Sequence, residues 1–283
     1  MHKVGTPSPL DVRCVLVPHS GPRVSRSDLW SAAGVGRSWP LARTKPAPYG
    51  STVLMKVVGL RRYPVKSMGG ESVDAFQLDS RGVCGDRWYA VEDDDGHFAS
   101  GKNTRRFRRR DPIFDYAAVT SETGDVVVRR ESRSWMVGDP ALDSELSRAM
   151  GLTVRVTPES TIPHQDMGAV SIIGTATLDW CAERWGITTD PRRLRVNIVF
   201  LSDRPFIEEE WVGKTVGIGD ASLRVAERIP RCRMIDIAQD GVQPVGRWLK
   251  PLAKEREMFL AMYADVRQTG VIKVGDNLTI DGA

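Results

Sequence analysis

Over residues 1–54 the hydrophobic and polar positions follow no sustained period, whereas from Met55 they break into short apolar runs separated by turn residues. Lys56-Val57-Val58-Gly59-Leu60 opens the first strand-like run. Runs at 88–91 and 97–100 flank an acidic Asp94-Asp95-Gly96 turn, and a run at 126–129 follows Thr123-Gly124-Asp125, so both regions predict hairpins. The pattern over 143–150 predicts a brief helix ended by Gly151, separating a first β region from a second that begins near Thr153. A strand over 169–173 precedes Leu178, Cys181, Ala182 and Trp185, which recur at helical spacing before Gly186 and make Cys181 a core residue. Leu194, Val196, Ile198 and Phe200 alternate; on a strand this sends Arg195 and Asn197 together to the other face. A hairpin over 214–218 and 222–226, a helix over 249–262, and strands over 271–274 and 278–280 complete the chain. The expected fold is mainly β with minor α (α+β), in barrel-like domains at 55–150 and 151–283 after an extension at 1–54.

Composition changes the picture chiefly at the N-terminus. Residues 1–54 hold seven of the 17 prolines with many Ser, Gly and Arg, which predicts a disordered or mis-assigned extension. They also hold seven of the 40 Lys/Arg but two of the 36 Asp/Glu, leaving 33 against 34 for the rest of the chain. A near-neutral body argues against a nucleic-acid partner. Cys14, Cys84, Cys181 and Cys232 lie too far apart for a Cys-x-x-Cys zinc pair or a local iron–sulfur motif. No run approaches the roughly 20 apolar residues of a membrane helix, and no secretory h-region is present, so a cytoplasmic protein without a membrane partner is expected.

Common catalytic motifs fail on inspection. Gly213-Lys214-Thr215 imitates the end of a phosphate loop, but Glu208 stands where its first glycine belongs. Gly217-Ile218-Gly219 lacks the third glycine of a dinucleotide fingerprint, no Gly-x-Ser-x-Gly elbow occurs, and the four histidines never form His-Glu-x-x-His. Three segments remain: Tyr63-Pro64-Val65-Lys66-Ser67-Met68-Gly69-Gly70, Gly85-Asp86-Arg87-Trp88 and Ile229-Pro230-Arg231-Cys232-Arg233.

These segments carry a family resemblance. YPVKSMGG and GDRWYAV resemble the MOSC N-terminal β-barrel domain, and RLRVNIVF, IPRCRM and GVIKVGDNL resemble the MOSC domain, together covering about Met55 to Ile280. The chain is similar to the amidoxime-reducing molybdenum enzymes. The resemblance implies a molybdenum–pterin cofactor (molybdopterin), with Cys232 as the metal ligand and catalytic residue. It further implies cofactor contacts from Lys66, Ser67, Arg87, Thr175, Thr177, Arg195, Asn197 and Arg231. The chemistry agrees: molybdenum held by dithiolene sulfur favours a soft thiolate, which flanking arginines stabilise, and Arg and Lys suit a phosphate.

What the resemblance implies is an oxidoreductase acting on an N-hydroxylated or similar small-molecule substrate. Because the scattered cysteines exclude a local iron–sulfur cluster motif, a separate reductase, haem or flavin protein is the expected electron donor. A departure bears on specificity: relatives often follow the cysteine with a Thr-rich segment and an aspartate, whereas this chain reads Arg233-Met234-Ile235-Asp236. Two alternatives stay open. One is a sulfur carrier holding a Cys232 persulfide; MOSC domains also accompany pyridoxal-phosphate desulfurases, for which this chain is too short. The other is a non-enzymatic carrier of the cofactor. Outside the family motifs, Cys84 reads as structural and the cluster Arg105, Arg106, Arg108, Arg109, Arg110 as a solvated loop or a greeting for an anion. His164-Gln165-Asp166 is a candidate proton source, since histidine titrates near neutrality.

Overall fold

The computed structural model describes residues 55–244 and 247–281; the extension at 1–54 lies outside them. The first half runs β1 (Val57–Arg62), β2 (Glu71–Val73), β3 (Ala75–Asp79), β4 (Gly82–Val83), β5 (Tyr89–Asp93), β6 (Phe98–Ser100), β7 (Phe107–Arg109), β8 (Ala117–Thr120), β9 (Val126–Arg130), β10 (Arg133–Met136) and α1 (Pro140–Met150). The second runs β11 (Val154–Pro158), β12 (Val170–Gly174), α2 (Thr175–Trp185), β13 (Ile198–Phe200), β14 (Thr215–Ile218), β15 (Ala221–Pro230), α3 (Leu249–Arg256), β16 (Phe259–Gln268), β17 (Gly270–Lys273) and β18 (Leu278–Ile280). The expected mainly β, α+β class holds.

Eight strands form the principal sheet in the order β18-β14-β15-β16-β12-β13-β1-β2. Its end strands do not pair with each other, so among the described residues the sheet does not close into a barrel. Both its faces are covered. Alternation puts Val170, Ile172, Ile198 and Phe200 on a face shared with Phe76, Leu78 and Ile272 of the β17-β3-β4 sheet. Ile173 and Val199 point the other way, against Leu178 and Cys181 of α2 and Leu252 of α3. Burying each such aliphatic side chain contributes about 2 kcal/mol. A second core gathers Val91, Ile113, Tyr116, Val128, Leu142 and Leu146 between the β11-β5-β6-β7 and β10-β9-β8 sheets and α1.

Helix ends follow local chemistry. Asp139 accepts from the Ala141 amide, Pro140 opens α1, and Gly151 and Gly186 close α1 and α2 in the left-handed conformation. Two expectations are corrected. The helix over 249–262 stops at Arg256, because Glu257 and Met258 adopt φ of 52° and 71° and Phe259 begins β16. The alternating run 194–200 is not one strand. Asp190 caps a 3-10 turn, Pro191–Leu194, that ends on Arg195 at φ 53°, and β13 begins only at Ile198.

Candidate functional site

Arg195 and Asn197 therefore serve different surroundings instead of one strand face. Asn197 is buried; its Oδ1 accepts from the Ser171 amide at 3.1 Å and hydroxyl at 2.9 Å, and its Nδ2 donates to the Arg61 carbonyl at 3.2 Å. Arg195 instead donates from Nη1 to the Met68 carbonyl at 2.8 Å and lies 4.3 Å over the Tyr63 ring. Arg87 lies 4.9 Å over the same ring and donates from Nη2 to the Arg195 carbonyl at 3.3 Å. Its Nη1 pairs with Asp86, whose other oxygen accepts from the Tyr63 amide at 2.7 Å. Tyr63 is fully buried and is held close by Gly70, where a Cβ would collide with the Tyr63 ring and the Arg62 carbonyl.

Cys232 is free, half-buried, and stands at the start of the 3-10 turn Arg233–Asp236. Its two neighbours anchor it to different parts of the chain. Arg231 donates to the Leu260 and Leu194 carbonyls at 2.7 and 2.8 Å, the second being next to Arg195. Arg233 donates to Asp111 at 2.8 and 3.1 Å and to the Gly101 carbonyl at 3.1 Å. A side chain at Gly101 would strike Met234. Burial pushes the Arg231 guanidinium down to about 10, and burial together with the Arg87 charge pushes Arg195 down to about 10 as well. Both stay protonated at neutral pH. Each nevertheless has a buried Nη2 with no acceptor among the described residues.

Family profiles for the MOSC N-terminal beta barrel domain and the MOSC domain match residues 54–137 and 159–279. The chain belongs to the MOSC-domain proteins. MOSC domains are associated with molybdenum-cofactor enzymes and with sulfur-transfer proteins. Solved structures of low identity are similar to this MOSC-domain chain. The YuaD protein from Bacillus subtilis is 12% identical at a TM-score of 0.42, covering 80% of this chain and 94% of its own. YiiM from Geobacillus stearothermophilus is 21% identical at 0.31, covering 40% and 54%, and YiiM from Escherichia coli is 10% identical at 0.37, covering 81% and 69%. No curated protein matches the sequence.

The remaining expected contacts of the MOSC site divide in two. Lys66 is buried and donates to the His164 carbonyl at 2.8 Å and to Asp166 at 3.0 Å, with Phe107 beneath it at 4.3 Å. Burial pushes its ammonium down to about 8 despite Asp166. Ser67 donates to the Ala99 carbonyl at 3.1 Å. Ser67, Arg87 and Arg195 all adopt left-handed φ, of 68°, 52° and 53°, a strain that collects at functional sites. Thr175 and Thr177 stand apart. Thr175 exchanges hydrogen bonds with Ser202 at 3.1 and 3.3 Å, while Thr177 donates to Glu208 at 2.8 Å and accepts from the Phe206 amide at 2.7 Å. Both fasten α2 to the chain after β13.

His164 departs from expectation. It is buried against Phe98, and burial pushes its imidazole down to about 4, so it is neutral at physiological pH. Burial opposes ionisation of Asp166, but Lys66 and Lys102 outweigh it and hold the carboxyl well below the usual carboxylate range. Tyr63 and Asp111 were not singled out from the sequence. Tyr63 heads the YPVKSMGG segment, so its position was in view; nothing local marks Asp111 as the partner of Arg233.

Proposed function

We propose that this MOSC-domain chain binds a molybdenum–pterin cofactor and reduces N-hydroxylated or similar small substrates with electrons from a separate donor. Arg195 and Arg231 carry the proposal: two half-buried arginines, each with a buried, unaccepted Nη2, connected through the Leu194 backbone, the second of them next in sequence to a free Cys232. Buried N–H donors without acceptors are costly, and phosphate oxygens are the charge-assisted acceptors that guanidinium groups favour. A thiolate suits the soft metal. The residues therefore fit the group.

When bound, the cofactor supplies oxygen-removing redox chemistry at molybdenum, with Cys232 as its protein ligand. The chain's own residues do the rest. Arg195 and Arg231 bind the phosphate, and the Tyr63 ring with the Asp86–Arg87 pair orients Arg195. Lys66 holds a proton at Nζ with a pKa of about 8, nearest neutrality among these groups and thus suited to passing it to substrate. His164, neutral and buried against Phe98, accepts from Lys66 Nζ through its backbone carbonyl and so fixes where that proton is held.

The test is turnover of an aromatic amidoxime by full-length protein from cofactor-producing cells, with reduced viologen as donor. Activity lost in Cys232→Ser and kept in Cys181→Ser supports the proposal. A metal-free, inactive protein whose Cys232 gains the mass of one sulfur would favour sulfur carriage.

A further inference from the structure

Residues 102–110 carry Lys102, Arg105, Arg106, Arg108, Arg109 and Arg110 and no carboxylate. Asp166 meets Lys102, Asp111 meets Arg109 and Asp93 meets Arg110. Arg105 is exposed, and Arg108 donates to the backbone carbonyls of Thr104 and Phe107. Arg108, Arg109 and Arg110 line a shallow concavity of about 880 Å³ together with Asp111 and Met150. The same segment holds the loop 160–168: Arg106 donates to the carbonyls of Pro163 at 2.9 Å and Asp166 at 3.2 Å. On that loop Ile162 and Met167 are 45% and 62% exposed.

Exposed apolar side chains on a loop held by an arginine of a basic segment match the composition of protein interfaces, where Arg and Met are enriched. A polynucleotide or a free anion would use the arginines but gain nothing from Ile162 and Met167. Both margins of this face also touch the candidate site: Asp166 pairs with Lys66 at 3.0 Å, and Asp111 holds Arg233, the neighbour of Cys232, at 2.8 Å. We infer that this face docks a protein partner with an acidic surface and a small apolar patch, seated beside the site. Taking that partner for the electron donor rests on the function proposed above; the docking face itself does not.

The probe is a flavodoxin, a small acidic flavoprotein, titrated calorimetrically into the full chain at low salt and at about 0.15 M ionic strength, where screening acts beyond about 8 Å. Binding at low salt should weaken about tenfold with salt and about tenfold in Arg105→Glu/Arg108→Glu, because steering charges lie at the rim. Ile162→Ser/Met167→Ser should weaken it by a similar factor, with melting unchanged because both side chains are exposed. Absence of binding at low salt, or binding that either pair of substitutions leaves unchanged, overturns the inference. Dependence on the arginines alone would mark a polyanion site, and an oligonucleotide would then compete. Metal content does not enter this readout, so a chain that binds flavodoxin but carries no molybdenum defeats the redox proposal and leaves the docking face standing.

Discussion

Arg231 donates from Nη1 to the Leu194 carbonyl at 2.8 Å, which seats its guanidinium one residue from Arg195. Both side chains leave an Nη2 buried and unaccepted. A charge-assisted hydrogen bond is worth about 1.5–3 kcal/mol, so Arg195→Ala and Arg231→Ala should each lower pterin retention by roughly 10- to 100-fold. Dialysis followed by fluorescence of the oxidised pterin measures this. Retention unchanged in both variants would move the anion site elsewhere.

Arg87→Ala should behave differently, because Asp86 is fully buried and pairs with Arg87. Removing one partner of a buried ion pair costs about 3–5 kcal/mol. The urea midpoint should fall accordingly, and Asp86→Asn added to Arg87→Ala should restore part of it. A midpoint equal to that of the wild type would mean the pair is not structural.

Asn197→Ala should cost stability rather than cofactor. Three buried hydrogen bonds to Ser171 and Arg61 go with it, at about 1 kcal/mol each. Pterin retention measured well below the melting temperature should equal that of the wild type. Lost retention at undiminished stability would instead make Asn197 a direct contact, as the family resemblance implies.

His164 sets a pH dependence whose sign is fixed by its burial. Its folded pKa of about 4 lies below the ordinary 6.5, so between these values the unfolded chain binds a proton that the folded chain does not. Its contribution to stability is thus complete above pH 6.5 and falls as the pH drops towards 4. In His164→Leu the melting temperature should decline less between pH 7 and pH 5 than in the wild type. Equal declines would show that the imidazole is not held neutral.

Much of this architecture could be read from local pattern. The hairpins around Asp94-Asp95-Gly96 and Gly219-Asp220, and the glycine-ended helices α1 and α2, rest on neighbouring residues and were legible for that reason. The alternation from Leu194 to Phe200 misled because apolar period does not distinguish a strand from a 3-10 turn feeding one. Asp190-Pro191, a cap followed by proline, was the signal that could have corrected it. Glu257 and Met258 end α3 with no glycine or proline to announce it. The candidate site residues stood out as motifs, but their partners did not: Asp111 and Arg233 are 122 positions apart, and only the fold joins them.

The most direct test is molybdenum and pterin per chain in purified full-length protein from cofactor-producing cells, for wild type, Cys232→Ser and Cys181→Ser. Cys181 is buried in the core beside α3, and burial pushes its thiol up to about 12, so it serves as the control. The account predicts metal and pterin together in wild type and in Cys181→Ser, with Cys232→Ser retaining pterin in part because the arginines still hold it. Equal molybdenum and undiminished turnover in Cys232→Ser, or a wild-type protein that never carries molybdenum, would contradict it.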